Sequence, residues 1–130
     1  MHELQRQKYV EHAVKTASQQ QLLIMLVDGA IRFGKQAIEA IEARDMAQSH
    51  DRLMRMRDIV NEWVITIDRT SPIAANLLAI YEYLLYRIVQ ANMRKDRAIV
   101  EEVIQFLIEL RDTWVQASRM LTKAAVHGNG

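Results

Sequence analysis

The sequence predicts an all-α domain, an antiparallel up-down four-helix bundle, and three observations lead there. Chain-breaking residues are scarce: the 130 residues hold four glycines and one proline, and Gly128 and Gly130 stand at the very end. Gly29, Gly34 and Pro72 are thus left to punctuate the rest, whereas a β-sandwich needs turn signals roughly every 8–12 residues. Four long segments repeat apolar residues at helical spacing. The breaks between them are short and polar and carry helix-start signals. Half of the residues are apolar, enough to build a core and too many for a disordered chain.

The first helix is predicted to open at Ser18-Gln19-Gln20-Gln21. There Ser18 can accept from an orphan amide and Gln21 can reach back. It runs to about Ala43, with Leu22, Leu26, Phe33, Ala37 and Ile41 on one side. Asp28-Gly29 could open a hairpin, but its flanks are periodic as a helix is. A glycine inside a helix costs about 1 kcal/mol against alanine, so Gly29 and Gly34 are expected to permit close helix approach. Asp45, with Gln48 three residues on, caps a second helix reaching about Thr70, with Leu53, Met56, Ile59, Val60, Trp63 and Ile67 as its stripe. Ser71-Pro72 reads as an N-cap followed by proline at the first helical position, where its missing N–H is harmless. The third helix then extends to about Met93, and Asp96 caps a fourth that ends near Leu121. Connections this short join antiparallel neighbours. The expected organisation is an N-terminal segment over 1–17, the bundle over 18–121 and a flexible tail over 122–130.

Charge and composition exclude several classes of function. Seventeen basic and sixteen acidic residues leave a net charge of +1, unlike the strongly basic face of a dedicated nucleic-acid binder. Without cysteine there is no disulfide, thiolate metal site or cysteine nucleophile. The polar stretch His2–Lys8 lacks an apolar h-region, so no signal peptide is expected, and runs such as Leu22–Val27 are far too short to cross a bilayer. A soluble cytosolic protein is expected. None of the histidines His2, His12, His50 and His127 follows a glutamate by three residues, so the Glu-x-x-His pairs of carboxylate-bridged metal bundles are missing. Neither H-E-x-x-H nor P-loop, dinucleotide or G-x-S-x-G motifs occur. No metal or cofactor is expected, nor catalysis. Arg52, Arg55, Arg57, Arg94, Lys95 and Arg97 supply an alternative, a helical module that binds nucleic acid, but Asp51 and Asp58 dilute that field.

The apolar arcs of the last two helices are wider than a small core requires. A helix packs on an apolar stripe of about 100° or somewhat more. On the fourth helix Glu101, Glu102, Gln105, Glu109, Asp112 and Gln116 fill a narrow polar arc. Opposite lie Val103, Leu107, Leu110, Trp114 and Leu121, and the flank Ile104, Ile108 and Val115 widens the apolar arc to roughly 200°. Between Ile73 and Met93 only Asn76, Glu82, Arg87, Gln90 and Asn92 are polar. A core line through Leu78, Tyr81, Leu85 and Ile88 leaves a second line of Ile73, Leu77, Ile80 and Leu84. Such surplus suits a central helix, which a small bundle lacks, or a groove for apolar segments of another chain. Ile73, Ile80, Leu84, Ile104, Ile108 and Val115 are the expected groove residues.

The order of several motifs resembles the flagellar secretion chaperone family FliS. They begin with Tyr9, Val14 and Thr16-Ala17-Ser18, followed by Leu22-Leu23-Ile24-Met25-Leu26-Val27-Asp28-Gly29-Ala30-Ile31-Arg32-Phe33. Ala37-Ile38, Asp45, Asn76-Leu77, Ile80-Tyr81, Ala91-Asn92, Asp96, Leu110-Arg111-Asp112-Thr113-Trp114 and Ala117 come after in register. The chain departs from the family pattern at Gln19, Gln21, Val27 and Gly34, where proline, glutamate, tyrosine and a bulkier apolar residue are usual. The resemblance implies a cytoplasmic helical bundle that binds the disordered C-terminal part of flagellin, prevents premature polymerisation and presents the subunit to the flagellar type III export gate. It also implies that the N-terminal segment, through Tyr9 with Val10 and Val14, lies over part of the client site. Self-association through the apolar groove is left open.

Overall fold

The computed structural model describes the backbone of residues 2–128 and the side chains of residues 19–120 and 123. Four helices follow one another: α1 (His2–Glu42), α2 (Met46–Thr66), α3 (Ala74–Arg94) and α4 (Arg97–Gly128). Each packs on its neighbours in chain order and α4 returns to α1, while α2 and α4 meet across the diagonal through the rings of Trp63 and Trp114. The expected all-α bundle is what forms. Its most extensive seam joins α1 to α4, and its sparsest joins α3 to α4.

The helix ends agree with the sequence where a carboxylate caps and differ where breakers are absent. Asp45 is the N-cap of α2, its carboxylate accepting from the Gln48 amide at 3.0 Å. Asp96 accepts from the Ala98 amide at 2.9 Å and caps α4 in the same way. Ser18 does not open α1, which is already helical from His2, because neither glycine nor proline interrupts residues 2–17. Likewise α4 continues past Leu121 to Gly128. α2 stops at Thr66 rather than Thr70, and Asp68 folds the next residues into a turn by accepting from Thr70 N at 3.0 Å and Thr70 Oγ1 at 2.6 Å. Ser71-Pro72 also belongs to this turn, with Ser71 O accepting from Ala74 N at 3.1 Å, so α3 starts at Ala74 instead of Pro72. Two tight connections use left-handed residues that are not glycine, Arg44 at φ 57° and Lys95 at φ 51°. At the second, the Lys95 amide donates to Ala91 O and ends α3.

Small residues set the depth of the core. On α1 the buried line is Val27, Ala30, Ile31, Gly34, Ala37 and Ala40, one step around from the stripe expected through Leu22 and Phe33. Leu22 is exposed, and Phe33 is half-buried. Gly34 lies where α1, α2 and α4 meet: a Cβ there would stand 2.5 Å from Met56 Cε and 2.8 Å from Ile104 Cγ1. Gly29 is different, since a Cβ would meet Arg32 Nη2 and Ile59 Cδ1 at an ordinary 3.7 Å. Close approach therefore requires glycine at 34 and not at 29. The α2 stripe is as expected, with Leu53, Met56, Val60 and Trp63 buried.

Opposite stabilities are expected at the two glycines. Gly29→Ala should raise stability by about 0.5–1 kcal/mol through helix propensity. Gly34→Ala should lower it, because displacing Ile104 costs ~1–3 kcal/mol of overpacking. Parallel urea melts of both variants check the pair.

Candidate functional site

The apolar surplus of α3 and α4 opens at one end of the bundle and closes at the other. Ile73, Leu77 and Leu84 share one side of α3 at helical spacing. Ile73 is 56% exposed and Leu84 is 0% exposed, so one line changes from surface to core along its length. Lys95 and Asp96 hold the ends of α3 and α4 together, whereas seven residues separate α2 from α3 at the opposite end. At that end a cleft of about 370 Å³ lies among all four helices. Gln20 and Leu23 enter from α1, Trp63 and Thr66 from α2, with Ile67 just beyond it. Leu77 and Tyr81 come from α3, preceded by Ile73, and Leu110, Thr113, Trp114 and Ala117 come from α4. A smaller depression of about 160 Å³ continues between α3 and α4 past Ile80, Phe106 and Glu109, sharing Leu110 and Thr113 with the cleft.

The expected groove residues divide into two sets. Ile73 and Ile80 do line this surface. Leu84 and Ile104 do not, as they are 0% and 7% exposed within the core. The core seam of α3 is Ala74, Tyr81, Leu84, Ile88 and Ala91, which takes Leu84 inward and leaves Leu78 and Leu85 half-buried. Ile104, Ile108 and Val115 recur on one face of α4, and Ile104 places that face against α1 at Gly34. Ile108 and Val115 are half-buried along it. The wide arc on α4 has two edges about 200° apart, one against α1 and the other carrying Phe106, Leu110, Thr113 and Ala117 toward α3. The open edge is the second. Sequence reasoning missed Phe106 altogether and assigned Leu110 to the core; the spacing 106, 110, 113, 117 was the available signal. The side chains of Tyr9, Val10 and Val14 lie outside the described residues.

Aromatic rings floor the cleft. The Trp63 ring lies 5.5 Å from Tyr81 and 5.3 Å edge-on from Trp114, between ring centroids. Tyr83 stands 5.7 Å from Phe106 and closes the open edge toward the tight turn. A polar clasp follows it: Tyr83 Oη donates to Glu102 Oε1 at 2.5 Å, and Arg87 Nη2 donates to Glu102 Oε2 at 2.9 Å. Arg87 Nη1 also donates to Gln90 Oε1 at 2.6 Å. The bonds from Arg87 and Tyr83 hold the Glu102 carboxyl below its usual range, and the bond to Glu102 raises the Tyr83 hydroxyl.

Three arginines of the alternative reading, Arg52, Arg55 and Arg97, are engaged with acids. Arg55 Nε lies 3.1 Å from Asp51, Arg52 Nη1 lies 3.7 Å from the same carboxylate, and Arg97 is held by Glu42 and Glu101. Lys95 Nζ donates to Asn92 Oδ1 at 2.6 Å. Pairing reduces the field such a surface could present to phosphate. Among the described residues no cluster of His, Asp and Glu could hold a metal ion, and no helix is long and apolar enough to cross a membrane.

Motifs distant in sequence meet in the bundle. Asp28, beside Gly29 on α1, accepts from Arg111 Nε on α4 at 2.5 Å, next to the cleft residue Leu110 and about one turn of helix from Trp114. The family model for flagellar protein FliS matches residues 1–121, through both of these motifs. The chain belongs to the FliS family. Its relatives include the flagellar secretion chaperone FliS of Bacillus subtilis, 34% identical with 94% of this chain and 91% of that one covered. The Salmonella typhimurium FliS is 33% identical, covering 84% of this chain and 83% of its own. In Escherichia coli the corresponding values are 32%, 83% and 82%. FliS is a family of chaperones and not of enzymes, in keeping with a site of apolar side chains.

Two titrations should report on the α3–α4 surface. Burial pushes the Tyr81 hydroxyl up to about 12 from 10.0. The unfolded chain therefore loses this proton first, and the stability that Tyr81 contributes is complete below pH 10 and lost between 10 and about 12. Tyr81→Phe should lessen the alkaline loss in denaturant melts. Glu102 has the opposite sign. Its contribution is complete above the ordinary value of 4.5 and lost as pH falls through the lower folded value. Glu102→Gln should flatten that part of the acid profile.

Proposed function

We propose that this FliS-family chain is a cytoplasmic chaperone that binds the disordered C-terminal region of flagellin along the open α3–α4 edge. In this reading it keeps the subunit from polymerising early and helps deliver it to the flagellar type III export apparatus. The observation that carries the reading is the continuous apolar surface from Ile73 and Leu77 to Ile80, Phe106 and Leu110. Apolar surface of this kind, rimmed by polar side chains, is the mark of an interaction site. The names of the relatives, flagellar secretion chaperones, indicate what kind of partner it serves.

The physics suits a disordered client. Apolar side chains meant for subunit contacts would be withdrawn from water at about 25 cal/mol per Å². Ordering the segment opposes that gain, so an interface above roughly 1,000 Å² is needed. The surface between α3 and α4 is long enough for several turns of helix or an extended strand laid in stages. Binding and release are equilibria on this surface and require no nucleotide.

A synthetic peptide of the flagellin C-terminal segment from the same organism provides the test. Calorimetry should show micromolar or tighter binding to the wild-type chain, and absence of binding at that concentration rejects the reading. Ile80→Asp should weaken binding at least tenfold with helical circular dichroism intact, because Ile80 is half-buried at the surface. Leu84→Asp and Ile104→Asp should instead unfold the domain, since both side chains belong to the core.

A further inference from the structure

The cleft among the four helices contains an unmet hydrogen-bonding demand. Trp63 is only 3% exposed, and its Nε1 finds no acceptor among the described residues. Gln20, which lines the same cleft, holds a buried Oε1 that likewise has no donor among them. Buried polar groups are nearly always satisfied, and exceptions call for a reason. A third such atom, Gln36 Oε1, lies apart near Asp45 and Arg52, whereas these two residues border one cavity, at the end of the surface proposed for the client.

We propose that this cleft is an anchor site that takes one uncharged, bulky side chain of the bound segment, with a neighbouring peptide carbonyl accepting from Trp63 Nε1. This rests on the client reading above and names what the end of that surface recognises. The walls exclude a charged occupant. Ile67, Ile73, Leu77 and Leu110 are apolar, and Tyr81 stays neutral because its hydroxyl ionises only far above neutrality. No lining residue could pair with a cation or an anion, so a charge would lose its hydration without compensation. The size points the same way. About 370 Å³ is near the lower bound of ligand pockets, room for a side chain with its flanking peptide and not for a whole helix. A peptide unit offers the complementary pair that the cleft lacks, a carbonyl for Trp63 and an N–H within reach of Gln20. Continuity with the depression between α3 and α4, through Leu110 and Thr113, lets the rest of the segment run on along the open edge.

Nuclear magnetic resonance of the indole N–H groups tests this, with the full chain and the flagellin C-terminal peptide as probe. Trp63 and Trp114 are the two tryptophans, and the spectrum of Trp63→Phe assigns them. On addition of peptide the Trp63 indole proton should move downfield and its exchange with solvent should slow. Trp63→Phe keeps an aromatic ring and removes the donor. It should bind the peptide about 5- to 150-fold more weakly, the loss expected when a buried carbonyl is left without its partner, while its circular dichroism is unchanged. If the peptide binds, the Trp63 resonance stays in place and Trp63→Phe binds as tightly, the anchor is refuted and the client reading stands. A Trp63 resonance that shifts with protein concentration alone puts a second copy of the chain in the cleft and overturns the proposal. If the peptide does not bind at all, both fall.

Discussion

The contact of three helices at Gly34 is the constraint on which the rest of the bundle depends. With no side chain on α1 at that point, Met56 from α2 and Ile104 from α4 come within reach of its backbone. Alanines at 30, 37 and 40 extend the same shallow seam. Interiors are packed closely enough that one added methyl group forces a neighbour to move. α1 therefore sits tightly against α2 and α4, and this corner consumes one edge of the wide apolar arc on α4. Whatever apolar surface remains has to emerge at the opposite corner, beside α3.

That asymmetry links packing to function. α3 is held at its C-terminal end by the tight turn at Lys95 and by the clasp of Tyr83 and Arg87 on Glu102. Toward its start it follows a seven-residue connection, and its apolar line stands away from α4. A client surface needs apolar side chains that remain in water until the partner arrives, in a framework that does not collapse over them. The close seam of α1 with α2 and α4 supplies the rigidity, and the looser seam between α3 and α4 supplies the exposure. The arrangement agrees with membership in a family of flagellar secretion chaperones, whose chemistry is binding and release.

Much of the local structure was legible. Asp45 and Asp96 cap helices as read, because an N-cap depends on a carboxylate and amides only two or three residues away. The α2 stripe from Leu53 to Trp63 was also correct, since that helix has a narrow arc with only one way to face the core. The misreadings have physical causes. Ser18 carries a capping signal, but without a breaker before it the helix simply continues. Ser71-Pro72 is compatible with a helix start and equally with the turn that Asp68 organises. On α1 the conspicuous residues Leu22 and Phe33 drew the stripe, while the true seam consists of alanines and Gly34, whose value lies in taking little space.

By itself the sequence determined the helical class, the number of helices, two of their caps and the surplus of apolar surface on α3 and α4. Its motifs also established the family. Each of these follows from residue type and spacing along one element. Only the tertiary structure decided which part of the surplus is open. A helical wheel records the angle of a side chain, not its depth along the bundle or the identity of the helix it meets. Ile73 and Leu84 share an angle and differ in depth; Ile104 and Phe106 sit on opposite edges of one apolar arc and meet different helices. Those differences are set by how closely the four axes approach, and that was decided at Gly34.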